Sequence, residues 1–154
     1  MVVEPQLDYE AIAIGGKTQY VAGFLFEGPN VALIRKQRPA WQKNRYNGIG
    51  GHVEAGESPL AAMVREFYEE TSYVTVPTQW WPFCVLSGED FSVHFFSSYG
   101  RLSELKTTTD EEIVVLPISE ITVENAIPNL TWLIPMAKSL AHERTHTFLV
   151  EESY

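Results

Sequence analysis

The stretch Gly51-His-Val-Glu-Ala-Gly-Glu57-Ser-Pro-Leu-Ala-Ala-Met-Val-Arg65-Glu66-Phe-Tyr-Glu69-Glu70 decides how this chain folds, because it sets the start and the faces of one helix. Ser58 is a favoured N-cap residue and Pro59 a favoured first helical residue. A helix is therefore predicted to begin after Glu57 and to run to about Thr71. Apolar side chains recur along it at three- and four-residue spacing, which predicts a buried face made of Leu60, Met63, Val64 and Phe67.

A second face of the same helix is acidic. Glu66, Glu69 and Glu70 are three and four residues apart and share one side of the predicted helix. Like charges this close repel each other and serve stability poorly unless a cation neutralises them. Carboxylate oxygens are hard ligands that suit magnesium or manganese. The pattern therefore predicts a divalent-cation site on this face.

The stretch also resembles the signature of the Nudix hydrolases. The residues that correspond to its glycine, first glutamate, Arg-Glu pair, apolar residue and Glu-Glu pair are Gly51, Glu57, Arg65, Glu66, Phe67, Glu69 and Glu70. The chain departs from the signature at Ser72, where the family has a glycine, and at Tyr73, where an aliphatic residue is usual. That glycine would take the left-handed conformation at the helix end, so serine is predicted to cost on the order of 1 kcal/mol. The alternative is a solvated acidic helix that matches by chance.

The resemblance implies an α/β protein with the Nudix fold, an α/β/α sandwich with a central mixed β-sheet. At 154 residues and 45% hydrophobic content the chain suits one domain with its own core, so residues 1–154 are expected to form a single domain. Apolar and alternating runs predict strands at 20–27, 31–36, 80–86, 91–99, 113–116 and 147–150. Apolar residues at helical spacing predict a second helix over 129–140, packed on the other face of the sheet.

Charge and composition argue against several classes of protein. The net charge of −9 argues against binding a long nucleic acid. The N-terminus is acidic and no apolar segment approaches membrane-spanning length, so we expect a cytoplasmic protein with no membrane partner. A single cysteine, Cys84, excludes an internal disulfide. We expect a monomer or a homodimer whose partner is a small nucleotide substrate.

The resemblance implies hydrolysis of a linear diphosphate, in which water attacks one phosphorus and the other phosphate leaves. The barrier falls with charge neutralisation, water activation and alignment, which bound Mg²⁺, or Mn²⁺ in its place, can supply. By resemblance, Glu57 supports the metal shell and Arg65 orients Glu57 or Glu66. Glu66 is either a ligand or the group that holds the attacking water, and which glutamate is the general base stays open. The implied metal ligands are the Gly50 carbonyl, Glu66, Glu69 and Glu70.

The family usually adds one more carboxylate from a loop after the second strand pair. The acidic run Asp110-Glu111-Glu112 occupies the expected position, and Glu111 is the favoured candidate for the catalytic site, with Glu112 close behind. The alternative is a solvated acidic turn that precedes a strand.

The residues before the signature resemble the branch that hydrolyses oxidised purine nucleoside triphosphates. There the asparagine equivalent to Asn47 faces the base, and an Asp or Asn at the start of the second helix, here Asn129, reads it. Ile127 stands where that branch often has a stacking tryptophan. Lys36 and Arg45 are candidate phosphate contacts. The alternatives are a turn residue for Asn47, a helix N-cap for Asn129, and plain surface charges for the two cations.

The sequence thus predicts a magnesium-dependent pyrophosphohydrolase of nucleoside triphosphates, with 8-oxo-dGTP or another modified purine nucleotide as the favoured substrate. The products would be a nucleoside monophosphate and pyrophosphate, which would give the enzyme a role in sanitising the nucleotide pool. Alternatives are a hydrolase of ADP-ribose or another nucleoside diphosphate linked to a second group, and a Nudix module that senses nucleotides without cutting them. A rival H-E-x-x-H zinc pattern spans 142–146, but it lies where the helical pattern ends.

Overall fold

The structure is a computed structural model that describes residues 17–140 and 147–152, and residues 2–3 by their backbone. The strands are β1 (Val2–Val3), β2 (Thr18–Glu27), β3 (Asn30–Arg35), β4 (Tyr46–Asn47), β5 (Ile49–His52), β6 (Trp81–Ser87), β7 (Phe91–Tyr99), β8 (Ile113–Pro117) and β9 (Thr147–Glu151). The helices are α1 (Pro59–Thr71) and α2 (Leu130–Ser139). No helix in the described part of the chain is long and apolar enough to cross a membrane.

The strands form one mixed sheet in the order β1-β9-β6-β7-β2-β3-β4, with β5 also paired to β2 and β8 to β3. The β2–β7 and β6–β9 pairs are parallel, and the other pairs are antiparallel. Helices cover both faces, so β2 carries an unbroken buried run from Val21 to Phe26. Phe24 and Phe26 pack in the core cluster that contains the buried residues of α2, whereas Leu25 packs in the cluster that contains those of α1. The predicted α/β/α sandwich is confirmed.

The sequence patterns predict no strand between residues 36 and 80, so β4 and β5 were missed. The chain between β3 and β5 is not a simple loop. It contains a single helical turn at Ala40–Gln42 and ends in β4, where Asn47 pairs with Ile34 of β3. The physical reason is pairing with a strand distant in sequence, which local composition does not reveal.

Helix α1 begins and ends as its sequence predicts. Ser58 Oγ accepts a hydrogen bond from the Ala61 amide at 3.1 Å, and Pro59 is the first helical residue. Met63 and Phe67 are fully buried. Ser72 ends the helix with φ 59° and ψ 15°, the left-handed conformation that favours glycine. Because Met63 and Phe67 face the core, the charged side chains of α1 lie on the other sides of the helix.

Replacing Ser72 by glycine should stabilise the protein, because glycine adopts the left-handed conformation without a Cβ penalty. We expect the free energy of unfolding to rise by about 0.5–1 kcal/mol. Urea denaturation measures it, and Ser72→Ala is the matched control, since alanine keeps the Cβ atom and should not stabilise. Equal stabilisation by alanine and glycine would contradict the conformational explanation.

Candidate active site

Arg65 lies at the centre of the carboxylates of α1. Its Nε and Nη2 atoms donate to the two carboxylate oxygens of Glu57 at 2.7 and 2.9 Å, and Nη2 also donates to the His52 carbonyl at 2.9 Å. Its Nη1 atom donates to Glu66 Oε1 at 2.9 Å and to Glu69 Oε2 at 3.3 Å. One guanidinium therefore joins the loop before α1 to two acidic side chains of the helix itself.

The carboxylate of Glu66 lies directly against the backbone of β5. A Cβ atom at position 51 would lie 2.5 Å from Glu66 Cδ and Oε1, so Gly51 is the residue that leaves this carboxylate room. The neighbouring Gly50 packs as closely on β2, because a Cβ atom there would lie 1.9 Å from the Val21 carbonyl oxygen. The two glycines thus bring the backbone of β5 against both the sheet and the acidic face of α1.

Two threonines connect the segment before β8 to the end of α1. Thr109 Oγ1 donates to Glu70 Oε2 at 3.1 Å, and Thr108 Oγ1 donates to the backbone carbonyl of Glu69. The sequence prediction named the acids of this segment but gave the threonines no role. The run Thr107-Thr-Thr109 directly before the acids was the available signal.

Burial and charge set the ionisation of these glutamates in opposite directions. Burial raises the pKa of Glu66, although the hydrogen bond from Arg65 opposes the shift. Burial also raises the pKa of Glu70, and the charges of Glu66 and Glu111 add to that shift. The hydrogen bond from Arg65 instead lowers the pKa of Glu57. Arg65 therefore favours the charged form of Glu57, whereas burial disfavours the charged forms of Glu66 and Glu70.

Within 17–140 and 147–152, no group of three or more His, Cys, Asp or Glu side chains is already arranged to hold a metal ion. Among these side chains, Glu66 and Glu69 both accept hydrogen bonds from Arg65 Nη1. The donor set still fits a hard divalent ion, because the carboxylates of Glu66, Glu69 and Glu70 share one end of α1 and the charges of Glu66 and Glu70 oppose each other. The rival zinc pattern at 142–146 lies outside the described residues.

The structure places Glu111 against the end of β3. Glu111 is buried, and its Oε1 atom accepts a hydrogen bond from Lys36 Nζ at 3.0 Å. Its Oε2 atom accepts one from the Gln37 amide at 2.6 Å. Burial opposes ionisation, but the hydrogen bonds from Gln37 and Lys36 outweigh it and lower the pKa of Glu111. Lys36, predicted as a phosphate contact, thus already holds a carboxylate.

The two asparagines predicted to read the base lie on adjoining segments. The Tyr46 amide donates to the Asn125 carbonyl at 2.9 Å, and the Ile127 amide donates to the Tyr46 carbonyl at 2.9 Å. These bonds place β4, which carries Asn47, beside the segment that leads into Asn129. Both asparagines were predicted from the sequence, but the backbone hydrogen bonds between β4 and residues 125–127 were not.

The side chains of the two asparagines differ in their contacts. Asn47 Nδ2 donates to Gln42 Oε1 at 3.0 Å, and Asn47 Oδ1 accepts from the Gly48 amide at 2.8 Å. Asn129 precedes α2 with a helical backbone and makes no side-chain cap hydrogen bond. Its Oδ1 atom is buried and has no hydrogen-bond partner among the described residues. Asn47 is thus a strand residue with both amide atoms in contact, whereas Asn129 does not cap α2 with its side chain.

Arg65 should contribute far more to stability than Glu69 does. Arg65→Met removes the charge that neutralises Glu57 and Glu66, so we expect the free energy of unfolding to fall by about 2–3 kcal/mol. Glu69 has a side chain that is 54% exposed and a single 3.3 Å contact with Arg65, so Glu69→Gln should change it by less than about 1 kcal/mol. Urea denaturation with a metal chelator measures both variants. Equal losses of unfolding free energy in the two variants would contradict the stabilising role of Arg65.

Comparison with known proteins identifies the family. The family model described as NUDIX domain matches residues 17–143. No curated protein matches the chain. A NUDIX hydrolase from Nitrosomonas europaea has a similar structure, with a TM-score of 0.72 and 13% sequence identity over 90% of this chain and 81% of that one.

Two further solved structures share the fold. One comes from an analysis of MutT from Aliivibrio salmonicida and Vibrio cholerae, with a TM-score of 0.65 and 21% identity over 80% of this chain and 98% of that one. The other is the NUDIX domain of Shewanella oneidensis NrtR complexed with ADP ribose, with a TM-score of 0.68 and 13% identity over 87% of this chain and 93% of that one. With its family match and its arrangement of Arg65 and the glutamates of α1, the chain belongs to the NUDIX domain family and is a Nudix-type hydrolase, of the family that acts on nucleoside diphosphates linked to a second group.

Proposed function

We propose that this hydrolase is a magnesium-dependent pyrophosphohydrolase of nucleoside triphosphates that releases a nucleoside monophosphate and pyrophosphate. The proposal rests mainly on the position of the Glu66 carboxylate. It packs on Gly51, accepts a hydrogen bond from Arg65 and lies close enough to Glu70 to raise the pKa of that residue. These carboxylates are partly buried and close to one another, an arrangement that a hard divalent cation would stabilise.

Each residue around the cation has a distinct role in this proposal. The residues that would hold the metal are the Gly50 carbonyl, Glu66, Glu69 and Glu70. A bound divalent ion supplies charge neutralisation and activation of water at the phosphate. Glu57 stays on Arg65, and Arg65 in turn holds Glu66 in position beside β5. Glu69 would exchange its contact with Arg65 for the metal.

A purine is the favoured base, and an oxidised or otherwise modified purine, such as that of 8-oxo-dGTP, is the favoured substrate. The support comes from Asn129, whose buried Oδ1 atom has an unused acceptor lone pair among the described residues. Asn47 lies on the adjoining segment and presents an amide that Gln42 already orients. A purine edge that offers both donors and acceptors would satisfy these amides. The proposed phosphate contacts are Arg45 and Lys36, the latter through ammonium donors that Glu111 leaves unused.

A magnesium-supported screen of nucleotides with product identification tests the proposal. The panel contains purine and pyrimidine triphosphates, 8-oxo-dGTP and ADP-ribose. Monophosphate and pyrophosphate from a purine triphosphate are the expected products. Faster cleavage of ADP-ribose would instead favour the alternative of a nucleoside diphosphate linked to a second group. Binding without cleavage would favour a nucleotide sensor.

Glu69→Gln and Glu70→Gln should each reduce turnover at least about a hundredfold, because each removes a charged ligand from the proposed metal site. Glu89→Gln, on the exposed turn between β6 and β7, is the matched control and should retain turnover. Steady-state kinetics over a range of Mg²⁺ concentrations measures the effect. Turnover near that of the wild type in both variants, with an unchanged metal response, would refute the assignment of ligands.

Asn129→Ala should weaken purine recognition with little effect on stability. We expect kcat/KM for purine triphosphates to fall by a factor equivalent to about 1–3 kcal/mol, mainly through KM, because the amide is remote from the reacting phosphorus. Asn47→Ala should have the same kinetic effect and should also lower the melting temperature, since it loses its contacts with Gln42 and Gly48. Unchanged ranking of the nucleotides in both variants would refute the purine pocket and leave the hydrolase assignment intact.

A further inference from the structure

Three consecutive acids before β8 pair with basic residues at the end of β3. The pairs are Arg35 with Glu112 at 3.8 Å, Lys36 with Glu111 at 3.0 Å, and Arg38 with Asp110. The antiparallel register of β3 and β8 produces this order, and the Arg35 amide continues it by donating to the Glu112 carbonyl at 2.8 Å. We call this set of three pairs the acidic clasp. It neutralises three of the five cations in the basic segment 35–45, and that segment is therefore a poor site for a nucleic-acid backbone.

The members of the acidic clasp differ in burial, and the central one dominates. The side chains of Asp110 and Glu112 are 63% and 60% exposed, so solvent screens their pairs. The side chain of Glu111 is only 8% exposed, and that of Lys36 is 20% exposed. The Lys36–Glu111 pair is therefore the one whose loss would leave an uncompensated buried charge.

Both carboxylate oxygens of Glu111 are occupied by the chain that leaves β3. Oε1 accepts from Lys36 Nζ, and Oε2 accepts from the Gln37 amide at 2.6 Å and more weakly from the Arg38 amide at 3.4 Å. Oε1 keeps a second lone pair, but a metal ion bound there would lie beside the Lys36 ammonium and be repelled by its charge. Glu111 is thus committed to fixing the backbone of residues 36–38.

The backbone that Glu111 fixes begins the segment 36–47, which contains the loop after β3 and then β4 with the proposed base contact Asn47, and which we call the 36–47 loop. The Lys36 amide donates to the Arg45 carbonyl at 2.9 Å, and the Asn44 amide donates to the Lys36 carbonyl at 2.7 Å, which closes the base of the loop. Inside the loop, Gln42 Oε1 holds the amide of Asn47. A shift of residues 36–38 would therefore be transmitted to Asn47.

We propose that Glu111 is a positioning residue that holds the 36–47 loop in its nucleotide-binding shape, and that it is not a metal ligand or the general base. This inference rests on the proposed function. The expectation that the acidic run supplies a further carboxylate to the metal shell is the competing role for the same side chain. The two roles differ in their kinetic and metal-binding signatures.

Glu111→Gln distinguishes the two roles, with Glu89→Gln, on the exposed turn between β6 and β7, as the control. Glutamine removes the partner of Lys36 and one of the two acceptor oxygens. We expect KM for the purine triphosphate to rise about tenfold with kcat within about threefold of the wild type, because the loop orients the base and not the reacting phosphorus. Mn²⁺ affinity, measured by calorimetry without nucleotide, should stay within about twofold, since no ligand is lost. The control should match the wild type in both measurements.

Two results would overturn the proposal. One is a loss of kcat of a hundredfold or more in Glu111→Gln at unchanged KM, and the other is Mn²⁺ binding weakened tenfold or more. If wild-type protein hydrolyses no nucleotide, the proposed function fails, but the affinity for the α,β-methylene analogue of dGTP still tests the loop. Weaker analogue binding by Glu111→Gln than by the control supports the positioning role, and equal binding, or no binding by the wild type, overturns it.

Hydrogen exchange of the wild-type protein tests the proposal even if Glu111→Gln fails to fold. The Gln37 amide should be protected from exchange both without metal and with saturating Mg²⁺, because Glu111 keeps its hydrogen bond to that amide. Loss of this protection when Mg²⁺ is added would show that the carboxylate leaves the loop for the metal and would overturn the proposal.

Discussion

The arrangement of the site depends on one guanidinium surrounded by carboxylates. Helix α1 presents Glu66, Glu69 and Glu70 at spacings that bring like charges together, and Arg65 supplies positive charge from within the same helix. Its paired contact with Glu57 also ties the preceding loop to α1. Arg65 interacts most strongly with Glu57 and next with Glu66, and it does not contact Glu70. The negative charge of Glu70 is therefore less well compensated. The negative charge of this face of the helix is therefore only partly compensated.

Glycine at position 51 is the second requirement of this arrangement. The carboxylate of Glu66 occupies the volume that any larger residue would fill, so the strand β5 and the helix α1 can approach only with glycine there. The burial that results raises the pKa of Glu66 and makes its charge costly without a partner. The glycine at position 51 thus allows both the close packing of α1 on β5 and the burial that raises the pKa of Glu66.

The nucleotide side of the site has a different basis, which is strand pairing at the β3 end of the sheet. Strand β3 pairs with both β4 and β8, so the loop between β3 and β4 and the acidic run before β8 leave the sheet together. Thr109 contacts Glu70, and Glu111 contacts the start of the loop. One short segment therefore touches both a carboxylate of α1 and the loop that leads into β4, the strand of Asn47. The segment before β8 therefore contacts both the proposed metal site and the loop that leads to the proposed base pocket.

The sequence by itself determined the features that depend on neighbouring residues. The N-cap at Ser58, the buried face of α1 and the acidic face opposite it follow from helical periodicity, and the structure confirms the extent of the helix. The left-handed conformation at Ser72 was also predictable, because a known turn geometry requires it. The six predicted strands lie within about two residues of β2, β3, β6, β7, β8 and β9, since alternation and turn residues are local signals, whereas β1, β4 and β5 were not predicted.

Only the tertiary structure decided which distant groups meet. The pairing of Tyr46 with the segment before α2, the contact of Thr109 with Glu70 and the Lys36–Glu111 pair each join residues far apart in sequence. The sequence showed that Lys36, Glu111 and Asn129 have suitable chemistry, but not that Lys36 and Glu111 satisfy each other or that Asn129 Oδ1 is buried without a described partner. The physical reason is that side-chain charge and hydrogen-bonding capacity are properties of single residues, whereas burial and pairing are set by the register of strands and the packing of helices on both faces of the sheet.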